Sequence, residues 1–279
     1  MKQHIEFVTK SSGEKVPFIP EKLLGSLKRA GATEEIAEYI LESVYQQMSD
    51  GINTRKIYHF AFSLLKKESR PTAAKYKLKK AIMELGPSGY PFEKYFGELL
   101  KYQGYEIQVG ITEQGQAVTH EIDVLADKGQ HRISVECKYG NSKDKKISIQ
   151  VPMYIKSRFE DLVEEWKKQE EFADKKFQAW IATNTTFSND AISFGECYGI
   201  RLIAWNYPKR GSLRELIEES KLYPITSLIS LTKAEKNVLL EKGIVLCKEA
   251  LEKANLQELF KIPPSRYKRL MEEVSFLNS

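Results

Sequence analysis

The sequence predicts an α/β protein (α+β overall), with a small β-hairpin and helices at the N-terminus, a central mixed β-sheet flanked by helices, and a helical C-terminal segment. Strand and helix patterns alternate between residues 106 and 205, which is typical of an α/β sheet. Apolar residues recur at helical spacing before residue 85 and after residue 213. With 279 residues, 42% of them hydrophobic and 29% charged, the chain has the composition of a globular protein with a sizeable core.

The N-terminal region is predicted to be a hairpin followed by helices. Residues 5–9 and 16–19 are β-prone and flank a turn that contains Gly13. Helical spacing and start signals predict four helices, which begin at Pro20, Thr33, Thr54 and Thr72, the last one ending at Leu85. The run Gly86-Pro87-Ser88-Gly89 breaks any helix. We therefore expect a first domain over residues 1–86 and a second over 89–210.

The central and C-terminal regions follow from the same patterns. The predicted strands are 106–112, 119–126, 132–138, 177–183 and 201–205, and the predicted helices end at Gly104, cover 151–172 and run from Ser188 to Cys197. Residues 211–279 are predicted to form a helical C-terminal domain with breaks at Gly243 and at Pro263-Pro264.

Composition restricts the compartment and the partners. No apolar stretch approaches the roughly 20 residues of a membrane span, so we expect no membrane partner. Cys137, Cys197 and Cys247 are odd in number and form no CxxC pair, which predicts a reducing cytoplasm and no thiolate zinc site. The net charge is +5, and the excess lies in residues 1–89, which hold 15 Lys and Arg against 10 Asp and Glu.

Two carboxylates are predicted to meet across a hairpin. Twelve residues separate Asp123 from Glu136, and an antiparallel hairpin centred on Gly129 and Gln130 places them opposite one another. Strand alternation puts Glu136 and Lys138 on one face, and it turns Ile122 and Val124 away from Asp123.

Such a pair of carboxylates resists joint ionisation unless a cation lies between them, which suggests an oxygen site for Mg²⁺ or Mn²⁺. A bound phosphodiester would meet a Lewis acid there, and Lys138 would orient or help deprotonate the attacking water. The alternative is a solvated strand face on which Glu136 and Lys138 are ordinary surface charges.

Residues 89–207 resemble the PD-(D/E)xK nucleases, in particular the Mrr-like restriction endonuclease domain. The similarity rests on Asp123, on Glu136-Cys137-Lys138, and on the helix that bears Glu93. It implies a restriction endonuclease-like sheet with a metal site at Asp123, Glu136 and Cys137. It also implies that Lys138 acts on the attacking water, that Glu93 assists the metal site, and that Gln150 helps to order the metal site. The implied function is a metal-dependent DNA endonuclease of restriction or defence type acting on double-stranded DNA. Lys143, Lys145 and Lys146 are candidates for phosphate contacts, or for an ordinary solvated loop.

Residues 3–85 resemble an ATP-cone, a nucleotide-sensing domain. The similarity rests on Phe7-Val8-Thr9-Lys10, Gly13, Pro17-Phe18, Glu21-Lys22, Leu27, Tyr76 and Ala81-Ile82. It implies that ATP or dATP binds as an effector, with Lys10 and Lys22 near the phosphates and Thr54 and Tyr58 near the nucleotide. Ser11 stands where the family has an arginine, so the alternatives are a scaffold without ligand, or a basic helix at Lys75, Lys79 and Lys80 that serves DNA.

The C-terminal segment resembles helix-hairpin-helix modules at residues 239–244 and 259–264. Proline cannot donate the backbone amide that such modules use, so packing or a homodimer contact is the favoured role of this segment. The leading interpretation of the chain is an Mg²⁺-dependent endodeoxyribonuclease. The alternative is a nucleotide-responsive DNA-binding regulator with a non-catalytic nuclease fold.

Overall fold

A computed structural model describes residues 5–10, 12–142 and 145–278, so that Ser11 and Lys143, named above, lie outside the described residues. The chain forms two compact units. The first contains Met1–Lys80, Ser227–Lys233 and Asn255–Ser279, and the second contains Ala81–Thr226 and Ala234–Ala254. The C-terminal residues are therefore shared between the two units.

The first unit is a two-stranded hairpin followed by helices, as expected. Its elements are β1 (Phe7–Thr9), β2 (Lys15–Pro17), α1 (Pro20–Arg29), α2 (Glu34–Gln47), α3 (Thr54–Glu68) and α4 (Arg70–Tyr76). Thr33 caps α2 by accepting a hydrogen bond from the Ile36 amide, which explains why the helix begins there. The predicted helix 72–85 is instead two helices, α4 and α5 (Leu78–Ile82), because the chain turns at Lys77.

The centre of the second unit is a mixed five-stranded sheet. Its elements are α6 (Tyr90–Tyr102), β3 (Glu106–Gln114), β4 (Thr119–Lys128), β5 (His131–Lys138), β6 (Lys146–Ile147), α7 (Gln150–Trp166), β7 (Lys176–Thr183), β8 (Thr186–Phe187), α8 (Asn189–Cys197) and β9 (Arg201–Ile203). The strand order is β3-β4-β5-β7-β9, in which β3, β4 and β5 are antiparallel neighbours and β5, β7 and β9 run parallel. Helices α7 and α8 form the crossover connections that parallel strands require.

The sheet differs from expectation in detail. The long helix predicted for 151–172 ends at Trp166, and a short 3-10 turn at Glu170–Phe172 follows it. The parallel pair of β6 and β8 was not predicted, because each strand has only two residues and no pattern of its own. Ser188 caps α8 as expected, by accepting a hydrogen bond from the Ala191 amide.

The C-terminal residues are helical, as expected, but they contain more breaks than Gly243 and the proline pair. The helices are α9 (Leu213–Ser220), α10 (Lys233–Glu241), α11 (Cys247–Lys253), α12 (Leu256–Leu259) and α13 (Pro264–Asn278). In the first unit, the buried Glu273 of α13 accepts hydrogen bonds from the amides of Ile229 and Ser230 and pairs with Arg70. These bonds attach two late segments of the chain to the N-terminal helices.

The predicted fold class is confirmed: a mixed α/β protein with a central sheet, a small hairpin and C-terminal helices. In the described residues, no helix is both long enough and apolar enough to cross a membrane.

Candidate functional site

The hairpin of β4 and β5 has the predicted register. Lys128 pairs with His131 and Val124 with Val135, so the turn is centred on Gly129 and Gln130. The regular pairs of β4 with β5 run as far as Val124 and Val135, the residues next to Asp123 and Glu136. One carboxylate oxygen of Asp123 accepts a hydrogen bond of 2.6 Å from the Cys137 amide. This bond connects β4 to the end of β5.

Strict alternation fails at Asp123, contrary to expectation. Ile122 packs with Leu162 of α7, whereas Val124 lies against Gly97 of α6. The two apolar residues on either side of Asp123 therefore lie on opposite faces of the sheet. On β3, Gly110 lies between the residues that pair with Val124 and Ile122, and it has a φ of 63°, a conformation that glycine adopts without strain. A local distortion of this kind re-aims a strand side chain. The distortion therefore lies at Asp123 on β4 and at Gly110 on β3.

Glu136 is buried, not a surface charge. Its side chain is only 5% exposed, because β5 is a central strand and both of its faces are covered. Lys138 forms an ion pair with one of its carboxylate oxygens, and Arg158 of α7 forms an ion pair with the other. The alternative of a solvated strand face is therefore wrong for Glu136, while Lys138 remains 42% exposed and accessible to a ligand.

Glu93 joins this acid cluster from the first turn of α6. Burial, followed by the charges of Asp123, Glu121 and Glu136, raises the pKa of Glu93 to about 7. Burial and the charge of Glu136 raise the pKa of Asp123 to about 6, against the opposing hydrogen bond from Cys137. Three carboxyl groups from two strands and one helix thus share one electrostatic environment, which disfavours their joint ionisation.

Burial disfavours the metal-binding form of the Cys137 thiol. The side chain is buried, and burial raises the pKa of the thiol well above its usual value, which disfavours the thiolate that metals bind. The Cys137 amide points to Asp123, and a strand residue directs its amide and its carbonyl to the same side of the strand. The carbonyl oxygen of Cys137 therefore also faces the Asp123 side of β5.

The remaining predicted site residues are more peripheral. Gln150 is the first residue of α7 and is exposed, and among the described residues it makes no hydrogen bond with the acid cluster. Lys145 and Lys146 are exposed beside the same helix, so they are free to meet an anionic ligand.

Sequence reasoning missed Arg158. Its side chain is 9% exposed, and it bonds to Glu136 while lying 5.8 Å from the ring of the exposed Tyr154. The sequence did contain a signal for this ion pair. Arg158 lies next to Phe159 in the apolar stripe of α7, and a cation buried at such a position requires a buried anion as its partner.

The donor set fits Mg²⁺ or Mn²⁺. Its ligand atoms are carboxylate oxygens of Asp123, Glu136 and Glu93, which such ions prefer to thiols. Among the described residues, no group of three or more His, Cys, Asp or Glu side chains is placed to hold a metal ion. An ion at this position would therefore have at most two of these side chains as ligands, and proteins commonly hold Mg²⁺ with one or two carboxylates and several waters.

The predicted nucleotide residues lie in the first unit. Lys10 and Lys22 are exposed, and the Lys10 ammonium is 2.7 Å from a carboxylate oxygen of Glu14. Thr54 begins α3, and the Tyr58 ring of the same helix stacks on Tyr76 with ring centroids 5.3 Å apart.

The fold and the comparisons define the class of protein. The chain contains an ATP-cone domain, and it also contains a mixed α/β unit with a buried acid cluster. Residues 6–81 match the ATP cone domain, which confirms that part of the resemblance. Residues 223–277 match the family described as AF1548-like, C-terminal.

The family follows from one relative. The chain is 33% identical over 153 residues to an uncharacterized protein of Archaeoglobus fulgidus, a match that covers 55% of this chain and 82% of the relative. The chain belongs to the family of this archaeal protein.

Two solved structures are also similar. The crystal structure of the protein of unknown function AF1548 matches with a TM-score of 0.54 and 29% identity, covering 68% of this chain and 98% of that one. The MspJI restriction endonuclease in complex with a 27-mer oligonucleotide matches with a TM-score of 0.32 and 11% identity, over 63% of this chain and 36% of that one. The latter similarity is too low to carry an argument.

Proposed function

We propose that the protein is a metal-dependent DNA endonuclease of the PD-(D/E)xK type, and that a nucleotide bound to the ATP-cone regulates it. The observation that carries the proposal is the position of Asp123 against the β5 segment Glu136-Cys137-Lys138, because its carboxylate accepts a hydrogen bond from the Cys137 amide and Lys138 pairs with Glu136. Burying like charges together is costly, and a divalent cation between the carboxylates would relieve that cost and would also attract the anionic phosphodiester.

The residues have distinct roles in this proposal. Asp123, Glu136 and the Cys137 carbonyl hold the ion, which when bound supplies a Lewis acid that neutralises charge on a phosphate oxygen. Lys138, already paired with Glu136, orients the attacking water and stabilises the negative charge that develops at phosphorus. The water oxygen bonds to phosphorus, the bond to the leaving sugar oxygen breaks, one water proton passes to solvent, and the leaving oxygen takes one up.

The nucleotide effector is proposed to be ATP or dATP. The ATP-cone domain supports this assignment, and the exposed Lys10 and Lys22 are the cations available to its phosphates.

The test is nicking of supercoiled plasmid by the full chain with Mg²⁺, with Mn²⁺, and with chelator. Asp123→Asn, Glu136→Gln and Lys138→Ala should each abolish metal-dependent nicking, because each removes a ligand charge or the charge beside the water. Lys156→Ala is the matched control, since Lys156 pairs with Glu160 outside the acid cluster. Nicking by Asp123→Asn at the wild-type rate would refute the assignment.

A second function is favoured by one observation. Arg158 and Lys138 already neutralise Glu136, so this carboxylate has cationic partners without a metal. That arrangement suits a nucleotide-responsive DNA-binding regulator with a non-catalytic nuclease fold. DNA binding that is unchanged by Mg²⁺ and is never followed by cleavage would select this function.

A further inference from the structure

A cavity of about 380 Å³ lies at the start of α6, within the second unit. Its wall consists of the segment before α6, the first residues of α6, and the end of α10 with the turn that follows. Small-molecule sites typically measure about 300–1,000 Å³, so the cavity has room for a ligand of nucleotide size.

The charge of the cavity wall favours an anion. Lys94 is half-buried in the wall, and among the described residues it has neither a hydrogen bond nor an ion pair. Its ammonium lies 2.6 Å from the point that a Cβ on Gly243 would occupy, and the φ of 70° at Gly243 is a conformation that favours glycine. Lys242 adds a second cation, and Glu241 is the one acidic residue among the described lining residues.

An exposed aromatic ring connects this cavity to the acid cluster. Tyr90 lines the cavity and is 52% exposed. Its ring lies 3.9 Å from the point that a Cβ on Gly110 would occupy, and Gly110 lies between the β3 residues that pair with Val124 and Ile122, the neighbours of Asp123. Glu93 and Lys94 are consecutive residues of α6, so the acid cluster and the cavity share one turn of helix.

We propose that this cavity holds one unpaired nucleotide of a DNA strand, next to the phosphodiester that is cleaved. Its phosphate lies against Lys94 and Lys242, its base stacks on Tyr90, and the Asn237 amide faces the base edge. The inference rests on the proposed nuclease function, because a DNA strand at the acid cluster brings its neighbouring nucleotide to this cavity. A base inside a duplex cannot stack on Tyr90. The substrate class is therefore DNA with single-stranded nucleotides at the cleavage point, such as an overhang or a gap.

The test is fluorescence anisotropy with the full chain and no divalent metal, comparing a blunt duplex with the same duplex bearing a short overhang. The wild-type protein should bind the overhang DNA more tightly. Tyr90→Ala should weaken overhang binding by about tenfold and leave blunt binding unchanged, whereas Tyr90→Phe should retain it. Lys94→Ala with Lys242→Ala should lower the salt slope by about two. Lys101→Ala, on the same helix but outside the cavity, is the control.

Equal affinity for blunt and overhang DNA would overturn the proposal, as would wild-type overhang binding by the Tyr90→Ala and Lys94→Ala/Lys242→Ala proteins. Competition by free dAMP as effective as that by the oligonucleotide would also overturn it, because it would make the cavity a free-nucleotide site. The nuclease proposal is tested separately, by cleavage of the same overhang duplex with Mg²⁺ or Mn²⁺. Absence of that cleavage with either metal, combined with overhang binding that depends on Tyr90, would refute the nuclease and leave the nucleotide site supported.

Discussion

Removing the buried guanidinium of Arg158 should destabilise the second unit strongly. The Glu136 side chain is only 5% exposed. Arg158→Met would leave its carboxylate with Lys138 as the remaining cationic partner, and the Lys138 side chain is 42% exposed. Breaking a buried ion pair by removing one partner costs about 3–5 kcal/mol. Because Lys138 compensates in part, we expect about 3 kcal/mol, or a decrease in Tm of about 6–12 °C for a unit of this size.

Tryptophan fluorescence is a suitable probe of this change. The three tryptophans, Trp166, Trp180 and Trp205, all lie in the second unit, so their emission during urea unfolding reports on that unit alone. The matched control is Lys156→Met, which breaks the more exposed pair with Glu160 on the same helix and should cost no more than about 0.5 kcal/mol.

A double variant identifies the cause. Glu136→Gln combined with Arg158→Met removes both charges, and it should be more stable than Arg158→Met alone, because no uncompensated carboxylate stays buried. Millimolar Mg²⁺ should stabilise Arg158→Met more than the wild type, since the ion replaces the lost cation. A loss below about 0.5 kcal/mol in Arg158→Met, or a double variant less stable than the single one, would refute this reasoning.

Further predictions concern pH, salt and nucleotide. The pKa values of Glu93 and Asp123 are raised to about 7 and about 6, so the folded second unit binds more protons than the unfolded one, and without metal it should lose stability as pH rises from about 4 to 7. Urea unfolding should show this loss, and the loss should be smaller in Glu93→Gln. An increase in stability over that pH range would contradict the prediction. Duplex DNA affinity should fall steeply with salt in an anisotropy titration, and a salt-insensitive affinity would exclude phosphate-dominated binding. Calorimetry of the full chain should detect binding of ATP or dATP. Lys22→Ala should weaken this binding, whereas Glu14→Gln should strengthen it, because the Glu14 carboxylate competes with the phosphates for Lys10. If no heat is released at millimolar nucleotide, the ATP-cone is a scaffold without a ligand.

Local sequence signals predicted the hairpin of the site because they are strong there. Turn-forming residues between two β-prone runs fix the centre at Gly129 and Gln130, and counting from that centre brings Asp123 to the end of β5, where it accepts a hydrogen bond from the Cys137 amide. The same logic predicted the caps at Thr33 and Ser188, since capping is a short-range hydrogen bond.

The features that sequence reasoning missed depend on tertiary neighbours. Glu136 is buried on account of the position of β5 between β4 and β7, which no local pattern reveals. The partner of Arg158 lies 22 residues earlier in the chain, so helical spacing alone could not identify it. The altered direction at Asp123 depends on Gly110 in a neighbouring strand, and strict period-two counting overlooks such a distortion.

The path of the chain through the first unit has a consequence for its biosynthesis. This unit includes Asn255–Ser279, whose Leu270, Val274 and Leu277 are fully buried, and Glu273 of the same helix binds Arg70. A ribosome makes the N-terminal helices first, yet their last packing partner emerges only after the whole second unit has been translated. The surface of the ATP-cone helices that this segment covers therefore stays exposed until residues 255–279 have been made. A fragment that stops near residue 88 would keep that exposed surface permanently, so nucleotide binding is properly measured on the full chain.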